Sequence, residues 1–443
     1  VNTEKSGVLG DIAAHIPDQR ILRDPDVVSL LSHGEAGRAP IGVPLAAVRA
    51  ESSAEVQKIV RACHRNGVHF IVRGATTGFS AGATAVDGCV VIALDRLNRI
   101  VEIDPVERLA VVQPGIVNDD LRAAVGAHDL WCPPHPAVSP WLTTGGALAT
   151  HTGGVCCEKY GATRDHVLGL EMVTVTGELV RLGGRTAKEV EGYDLVGMLM
   201  GSETMLGVVT EVTLRLRPRP MPAITVTGYF SSIVDAGRAV RASVAAGLAP
   251  DTFELVDRHC LRAVDAWKKM GLSADADVIL LAQLNEPGAA GQLAAERMLA
   301  CFEEVGATWA ACSTDEVEAE ALLAAMRLAY PALERLGLIL TEDVSMPIVQ
   351  VPKMLERIEQ TAERHRITIA NIAHAGDGTL HPLLITDPGD EAGRARAQAA
   401  FDDIIADALA LGGTVAGEHT VGLLESPVSS PSMLRRALPT SRT

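Results

Sequence analysis

The sequence predicts an α+β protein in two parts, and three observations carry that expectation. Glycine is dense and apolar runs are short in the first half, apolar runs alternate with amphipathic stretches in the second, and Arg217-Pro-Arg-Pro-Met-Pro222 lies between them. Proline removes backbone donors and blocks helix, so this stretch reads as a linker. In the first half, Ser52-Ser-Ala-Glu55 is a capping box opening a helix. Val56, Ile59, Val60 and Cys63 then fall on one face, and Gly67 closes the helix. Strands are predicted at 68–72, 89–94, 100–103 and 110–113, and residues 172–182 alternate around Thr176-Gly177 as a hairpin. In the second half, strands at 224–230, 253–256 and 278–284 are separated by helices around 234–246 and 261–269. Further helices are expected at 291–305, 317–329 and 353–364. Such alternation suggests a sheet covered on one face.

A chain of 443 residues with 47% hydrophobic and 21% charged residues can bury a substantial core in two or three domains. The expected divisions are an N-terminal segment 1–40, a first domain 41–219, a second 220–425 and a short irregular tail 426–443. A net charge of −16 excludes nucleic acid, whose phosphates need a basic face. The eight cysteines include no Cys-x-x-Cys pair, which excludes an obvious zinc ribbon or iron–sulphur cluster and fits a reducing compartment. No apolar run reaches signal-peptide or membrane-span length, so a cytoplasmic protein without a transmembrane segment is expected.

The strongest chemical signal is His374-Ala-Gly-Asp-Gly-Thr-Leu-His381, followed later by Gly417-Glu418-His419. Strand-like runs at 367–372 and 380–385 flank the first segment, so a hairpin would set the two histidines opposite each other. Directly opposed residues bring their Cβ atoms to about 5 Å, close enough to share an ion. With Glu418 the set becomes two histidines and one carboxylate, which leaves coordination positions open for water or substrate. Zinc, manganese or iron would suit such ligands, and His419 is left over as a base. Histidines beside glycine turns are ordinarily surface or core residues; the Gly-Glu-His segment is what gives the pattern weight. Three glycine-bearing segments, 73–82, 143–154 and 201–207, either cradle a pyrophosphate or are tight turns in a β-rich domain. None matches a dinucleotide fingerprint or a P-loop.

From residue 40 to 425 the chain resembles the FAD-linked oxidases of the vanillyl-alcohol-oxidase superfamily, in the branch of glycolate oxidase flavin subunits and D-lactate dehydrogenases. The resemblance is carried by Pro44-Leu-Ala-Ala-Val48 with Val72-Arg-Gly-Ala-Thr-Thr-Gly78, and by Lys159-Tyr-Gly161 with Leu170-Glu-Met-Val173. It continues through Gly201-Ser-Glu203 with Leu206-Gly-Val-Val-Thr-Glu-Val212, and the histidine segments above. It implies a PCMH-type FAD-binding domain of two α/β subdomains plus a ferredoxin-like α+β cap domain. Arg73, Gly74, Ala75, Thr76, Thr77 and Gly78 would then wrap the pyrophosphate. Pro136, Thr143, Gly145, Gly146, Gly153 and Gly154 would line the FAD, with Val208 and Val209 approaching it through backbone groups. Neither glycine-rich loop offers a histidine where relatives attach flavin covalently, so FAD is expected to be non-covalent.

The implied reaction is oxidation of a 2-hydroxy acid of the glycolate or D-lactate type to the 2-oxo acid, with hydride passing to flavin N5. A divalent ion on His374, His381 and Glu418 would assist, and His419 would take the hydroxyl proton. Arg327, in Met-Arg-Leu-Ala-Tyr330, matches a family arginine that pairs with the substrate carboxylate; on residues alone it is an ordinary exposed helix position. Electrons would leave to an iron–sulphur or second flavin subunit, a quinone or oxygen, and the protein could sit peripherally at a membrane through such a partner. Departures from the family pattern fall at ligand-facing positions. Thr76, Thr204 and Thr420 stand for glycine, and Thr379 and His151 for asparagine; a β-branched residue disfavours positive φ. They leave open an alternative, a catalytically weakened homologue serving as a binding or assembly subunit of a flavin dehydrogenase complex.

Overall fold

The computed structural model describes residues 2–32, 41–78, 81–133, 139–272, 276–341, 343–415 and 417. The described residues form two compact units: those through Gly153 with Gly161–Arg219, and Gly154–Tyr160 with residues 220–417.

In the first unit, Ala46–Arg49, Val90–Ala93 and Phe70–Arg73 form a parallel sheet, with Ile21–Leu22 antiparallel at one edge. Parallel strands need a crossover, and the helix Ser53–Arg65 supplies it. Its apolar face, Val56, Ile59, Val60 and Cys63, is fully buried. Ser52 caps it by accepting the Glu55 N–H at 3.3 Å. The capping box is not closed as the sequence suggests. The Glu55 carboxylate instead accepts the Glu51 N–H at 2.8 Å and both terminal nitrogens of Arg20 at 2.7 Å. A charge-assisted bidentate pair outcompetes the single return bond to the cap.

An antiparallel sheet of five strands completes the unit, in the order Ile100–Asp104, Leu109–Val112, Gly207–Arg215, Val167–Thr174, Leu179–Gly183. The turn of its last hairpin is closed by Gly177 at φ +84°. The proline-rich stretch is partly paired: Arg217–Pro218 forms a short ladder with Leu130–Trp131.

The second unit is built on a sheet in the order Trp309–Ser313, Ile224–Phe230, Val278–Leu284, Thr252–Asp257, Thr368–His374, Thr379–Thr386, Leu338–Thr341. Val344–Ser345 also pairs with Thr379–Thr386. Neighbours are antiparallel throughout. Counted along the chain, its first four strands lie in the spatial order fourth, first, third, second, as in ferredoxin-like units.

The expectation of a sheet covered on one face is corrected here. Leu255, Leu280 and Ala282 pack with helices Ile233–Ala245, Ala289–Val305, Val351–His365 and Glu391–Ala410. Val256, Ile279 and Leu281 pack on the opposite face with Arg258–Lys268, Glu316–Arg327 and Ala329–Glu334. The cause is legible in Val278–Leu284, whose apolar residues run continuously instead of alternating, the pattern of a strand buried on both sides.

Phe302 is fully buried, edge-on to Phe230 at 6.0 Å and stacked on Phe253 at 6.2 Å. Phe302→Ala is expected to lower the stability of this unit by about 3–5 kcal/mol in denaturant unfolding, since the rings around it cannot close the void. A loss below about 1 kcal/mol would mean that the aromatic cluster is not a core element.

Candidate active site

His374 and His381 lie on adjacent strands of the second unit's sheet, joined by the turn Ala375-Gly-Asp-Gly378. Gly378 adopts φ +83°, and Asp377 Oδ1 accepts the Thr379 N–H at 3.0 Å, which tightens the turn. The expected direct opposition of the histidines is not what forms. His374 stands opposite Thr379, and His381 opposite Ile372. The turn's length sets this register and leaves the histidines diagonal neighbours, still within reach across a sheet. Their rings meet edge to face with centroids 5.2 Å apart.

A polar row crosses the sheet at this level. Glu254 pairs in register with His374, His374 with Thr379, and Thr379 with Ser345. Glu254 Oε1 lies 2.7 Å from His374 Nδ1, and the Thr379 and Ser345 hydroxyls are 2.9 Å apart. A Cβ at Gly417 would come within 2.9 Å of Ser345 Cβ, so the row ends against the segment that leads to Glu418 and His419. Those two residues lie outside the described ones, as do Pro136 and Thr420. Among the described residues no group of three or more His, Cys, Asp or Glu side chains is arranged to hold a metal ion. The histidine pair is therefore the described part of the expected ligand set.

Sequence reasoning missed Glu254, reading its strand only as core. The available signal was a carboxylate inside Thr252-Phe-Glu-Leu-Val-Asp257, every residue of which is buried. Burial pushes the Glu254 carboxyl upward, and His374 pulls it back down.

A second missed residue is Glu158, on the short segment Gly154–Tyr160 that belongs to this unit. Lys159 Nζ anchors the segment to Asn285 at 2.6 Å, Glu286 at 2.9 Å and Asp251 at 2.9 Å. Tyr160 donates its hydroxyl to Asp251 at 3.0 Å and accepts from Asn285 at 2.7 Å. The Glu158 carboxyl then lies over Gly376, where any Cβ would overlap it. Burial, and secondly the charge of Asp377, push this carboxyl up to about 8.

Arg327 ends the helix Glu316–Arg327 and is ion-paired with Glu320. Strand alternation puts His374 and His381 on the face shared by Ala370 and Leu383, the face that this helix covers.

In the first unit the three glycine-bearing segments converge. A Cβ at Gly74 would meet Thr143 Oγ1 at 2.8 Å, so the 73–78 loop lies directly against the start of the helix Thr144–Thr150. The Gly201 N–H donates to Leu148 at 3.0 Å and the Glu203 N–H to Ala149 at 2.9 Å, which brings the third segment to the same helix. Gly145 and Thr144 spend their amides on Pro114 and Ile116 at 2.7 and 2.9 Å, and Gly146 on Thr143 Oγ1 at 3.3 Å. Val208 is core, paired with Val173, and Val209 is paired with Met172.

Arg73 is half-buried, and desolvation lowers its pKa while the charge of Asp95 partly offsets that. Ala75, Thr76 and Thr77 are only partly covered and Gly78 is exposed, leaving a shallow cradle at this loop. These residues suit a bound dinucleotide phosphate. Threonine does not abandon the left-handed conformation as expected: Thr76 holds φ +59° and Thr204 φ +64°. His151, at φ +51°, likewise keeps the backbone conformation that asparagine tolerates best.

A family profile described as "FAD binding domain" matches residues 44–183, and one described as "FAD linked oxidases, C-terminal domain" matches 220–436. The glycolate oxidase subunit GlcD of Bacillus subtilis (strain 168) is 34% identical over 386 residues, covering 87% of this chain and 82% of that protein. The chain belongs to the FAD-linked oxidase family. A D-lactate dehydrogenase of Archaeoglobus fulgidus is 29% identical over 401 residues, covering 87% and 86% of the two chains. The solved structure of p-cresol methylhydroxylase superposes with a TM-score of 0.80 at 16% identity, over 99% of this chain and 95% of that one. The 4-ethylphenol oxidase of Gulosibacter chungangensis gives 0.76 at 19% identity, over 99% and 94%. At these identities the two structures speak for the fold, a PCMH-type FAD-binding domain with a mixed α+β cap. Among the described residues no helix is long and apolar enough to cross a membrane.

Left-handed threonines store strain of about 1–2 kcal/mol each. Thr76→Gly and Thr204→Gly are each expected to raise stability by about 1 kcal/mol in thermal unfolding, part of the gain being offset by the freer unfolded glycine. A lower melting temperature in both variants would show that the threonine side chains are structurally required.

For Glu158 the folded value near 8 lies above its ordinary 4.5, so the folded state holds the proton more tightly. Its contribution is most favourable below 4.5 and is lost as pH rises towards 8. Glu158→Gln should therefore gain on the wild type in melting temperature across that interval. Parallel melting curves for the two proteins would show that the carboxyl is not buried.

Proposed function

We propose that this protein oxidises a 2-hydroxy acid of the glycolate or D-lactate type to the 2-oxo acid, using non-covalent FAD and a divalent ion. The observation that carries the proposal is the edge-to-face imidazole pair of His374 and His381, backed by a buried carboxylate, in a chain of the FAD-linked oxidase family. When bound, FAD accepts the hydride from the substrate carbon, and the ion supplies positive charge beside the substrate oxygens.

The rest falls to the chain's own residues. His374, His381 and Glu418 hold the ion, with zinc, manganese and iron all matched by such ligands. Arg327 exchanges Glu320 for the substrate carboxylate, to which a guanidinium can donate two parallel hydrogen bonds. His419 accepts the hydroxyl proton, a task suited to an imidazole near neutral pH. Arg73 and the 74–78 loop hold the cofactor phosphates, with Pro136, Thr143, Gly145, Gly146, Gly153, Gly154, Val208 and Val209 along the rest of the cofactor.

Electrons leave to a separate acceptor, an iron–sulphur or second flavin subunit or a quinone, since the eight cysteines are dispersed along the chain with no Cys-x-x-Cys pair. The subunit status of the Bacillus relative agrees with such an arrangement. The strained threonines at 76 and 204 favour the second reading, a weakened homologue retained for assembly.

Reconstitution with FAD followed by anaerobic addition of a panel of 2-hydroxy acids separates the two readings. Bleaching of the flavin bands by at least one acid is expected, and a protein that takes up no flavin would sink the enzyme reading. His419→Ala should retain the flavin and lose substrate-driven bleaching. Bleaching at the wild-type rate in that variant would remove His419 from the mechanism.

A further inference from the structure

We infer that Glu158 is a positioning residue for the turn between the two histidines, fastened onto it in a socket that glycine at position 376 leaves open. What the histidines do in the reaction is the reading proposed above, and the seating of their turn is tested without it.

The contact lies inside one compact unit, because Gly154–Tyr160 belongs to the second unit. A Cβ built on Gly376 would overlap the Glu158 carboxyl, which fills the space that a side chain would take. The backbone at Gly376 is not at positive φ, so this glycine answers to the contact and not to the conformation of the turn. Lys159 and Tyr160, the next two residues, are bonded to Asp251, Asn285 and Glu286. Glu158 therefore reaches the turn from a braced segment, and close packing passes that restraint on to the backbone it touches.

The surroundings also decide the state in which this carboxyl can sit. Glu158 Oε2 is buried and finds no hydrogen-bond partner among the described residues. The charges that bear on it are Asp377, on the turn itself, and Lys159, on its own segment. Asp377 Oδ1 closes the turn by accepting the Thr379 N–H at 3.0 Å. Two carboxylates so placed do not readily both ionise. Burial, and then Asp377, push the Glu158 carboxyl up to about 8, with Lys159 offsetting part of the rise. The seated group holds its proton up to that value, whereas a released one follows the ordinary 4.5. Release therefore becomes easier by up to about ten-fold per pH unit between the two values and levels off above the higher one.

Two measurements on the full chain, without cofactor, test this. The first is backbone hydrogen exchange at Lys159, Tyr160 and Thr379, followed from below pH 4.5 to above pH 8 in wild type and Glu158→Gln. Relative to the variant, the wild type should lose protection at all three amides by up to about ten-fold per pH unit, then level off. Equal protection in the two proteins at every pH would overturn the inference. A loss confined to Lys159 and Tyr160, with Thr379 unaffected, would also overturn it, because Glu158 would then hold only its own segment.

The second is an exchange of sizes. Gly376→Ala should expel the carboxyl, lower the melting temperature and remove the pH dependence at Thr379. Adding Glu158→Ala should recover part of the loss, since the new methyl then has Phe253 Cβ, 3.2 Å away, as its nearest neighbour. Wild-type melting and a wild-type pH profile in Gly376→Ala would refute the socket. Should that variant not fold, Glu158→Ala alone decides, because it removes the carboxyl without crowding and should abolish the pH dependence at Thr379. Failure of the 2-hydroxy acid reading would appear only in the flavin bleaching assay and would leave both of these results standing.

Discussion

The register between the strands Thr368–His374 and Thr379–Thr386 is the constraint on which the site depends. Because side chains alternate with a period of two, a slip by one residue would send both histidines to the opposite face. The turn Ala375–Gly378, closed by one glycine at positive φ and one aspartate side chain, prevents that slip. That register sets Thr379 beside His374, and the pairings with the two flanking strands set Glu254 and Ser345 in the same row. Burial on both faces of the sheet holds this arrangement rigid, since helices pack above and below it.

The first unit solves a different problem. Its three glycine-bearing segments meet around one short helix whose early amides are already committed to the unit's own carbonyls and a threonine hydroxyl. Arg73 lies half-buried beside that helix, its pKa lowered by burial and partly restored by the charge of Asp95. The two left-handed threonines show that the loop geometry outweighs the local preference of the residues in it.

Much of this was legible in the residues. The strands Ile224–Phe230 and Val278–Leu284 coincide with their apolar runs because nothing local competes with β structure there. The helix Glu391–Ala410 escaped notice because it is rich in alanine and lacks a clean apolar stripe. The diagonal placement of the histidines was also beyond a reading of spacing alone, because it depends on which pair of residues closes the turn. Glu254 could have been suspected from one charge in a buried strand. Glu158 could not, since its position follows from a fold-level excursion of the chain. Arg327 was assigned a role through family likeness, and the structure places it on a helix over the histidine face with Glu320 as its present partner.

That excursion has a consequence for how the protein can be taken apart. Gly154–Tyr160 is stitched into the second unit by bonds from Lys159 to residues 126 and 127 positions away. The second unit is therefore discontinuous in sequence. A fragment cut at the proline-rich boundary would lack Glu158, Lys159 and Tyr160, and would leave Asp251, Asn285 and Glu286 without their partners. Exchange of this unit between related proteins must carry the heptapeptide with it, or supply matching residues at those three acceptor positions. Contacts of such sequence separation also close a long loop, an entropic cost that places their formation after the sheet they fasten to has assembled.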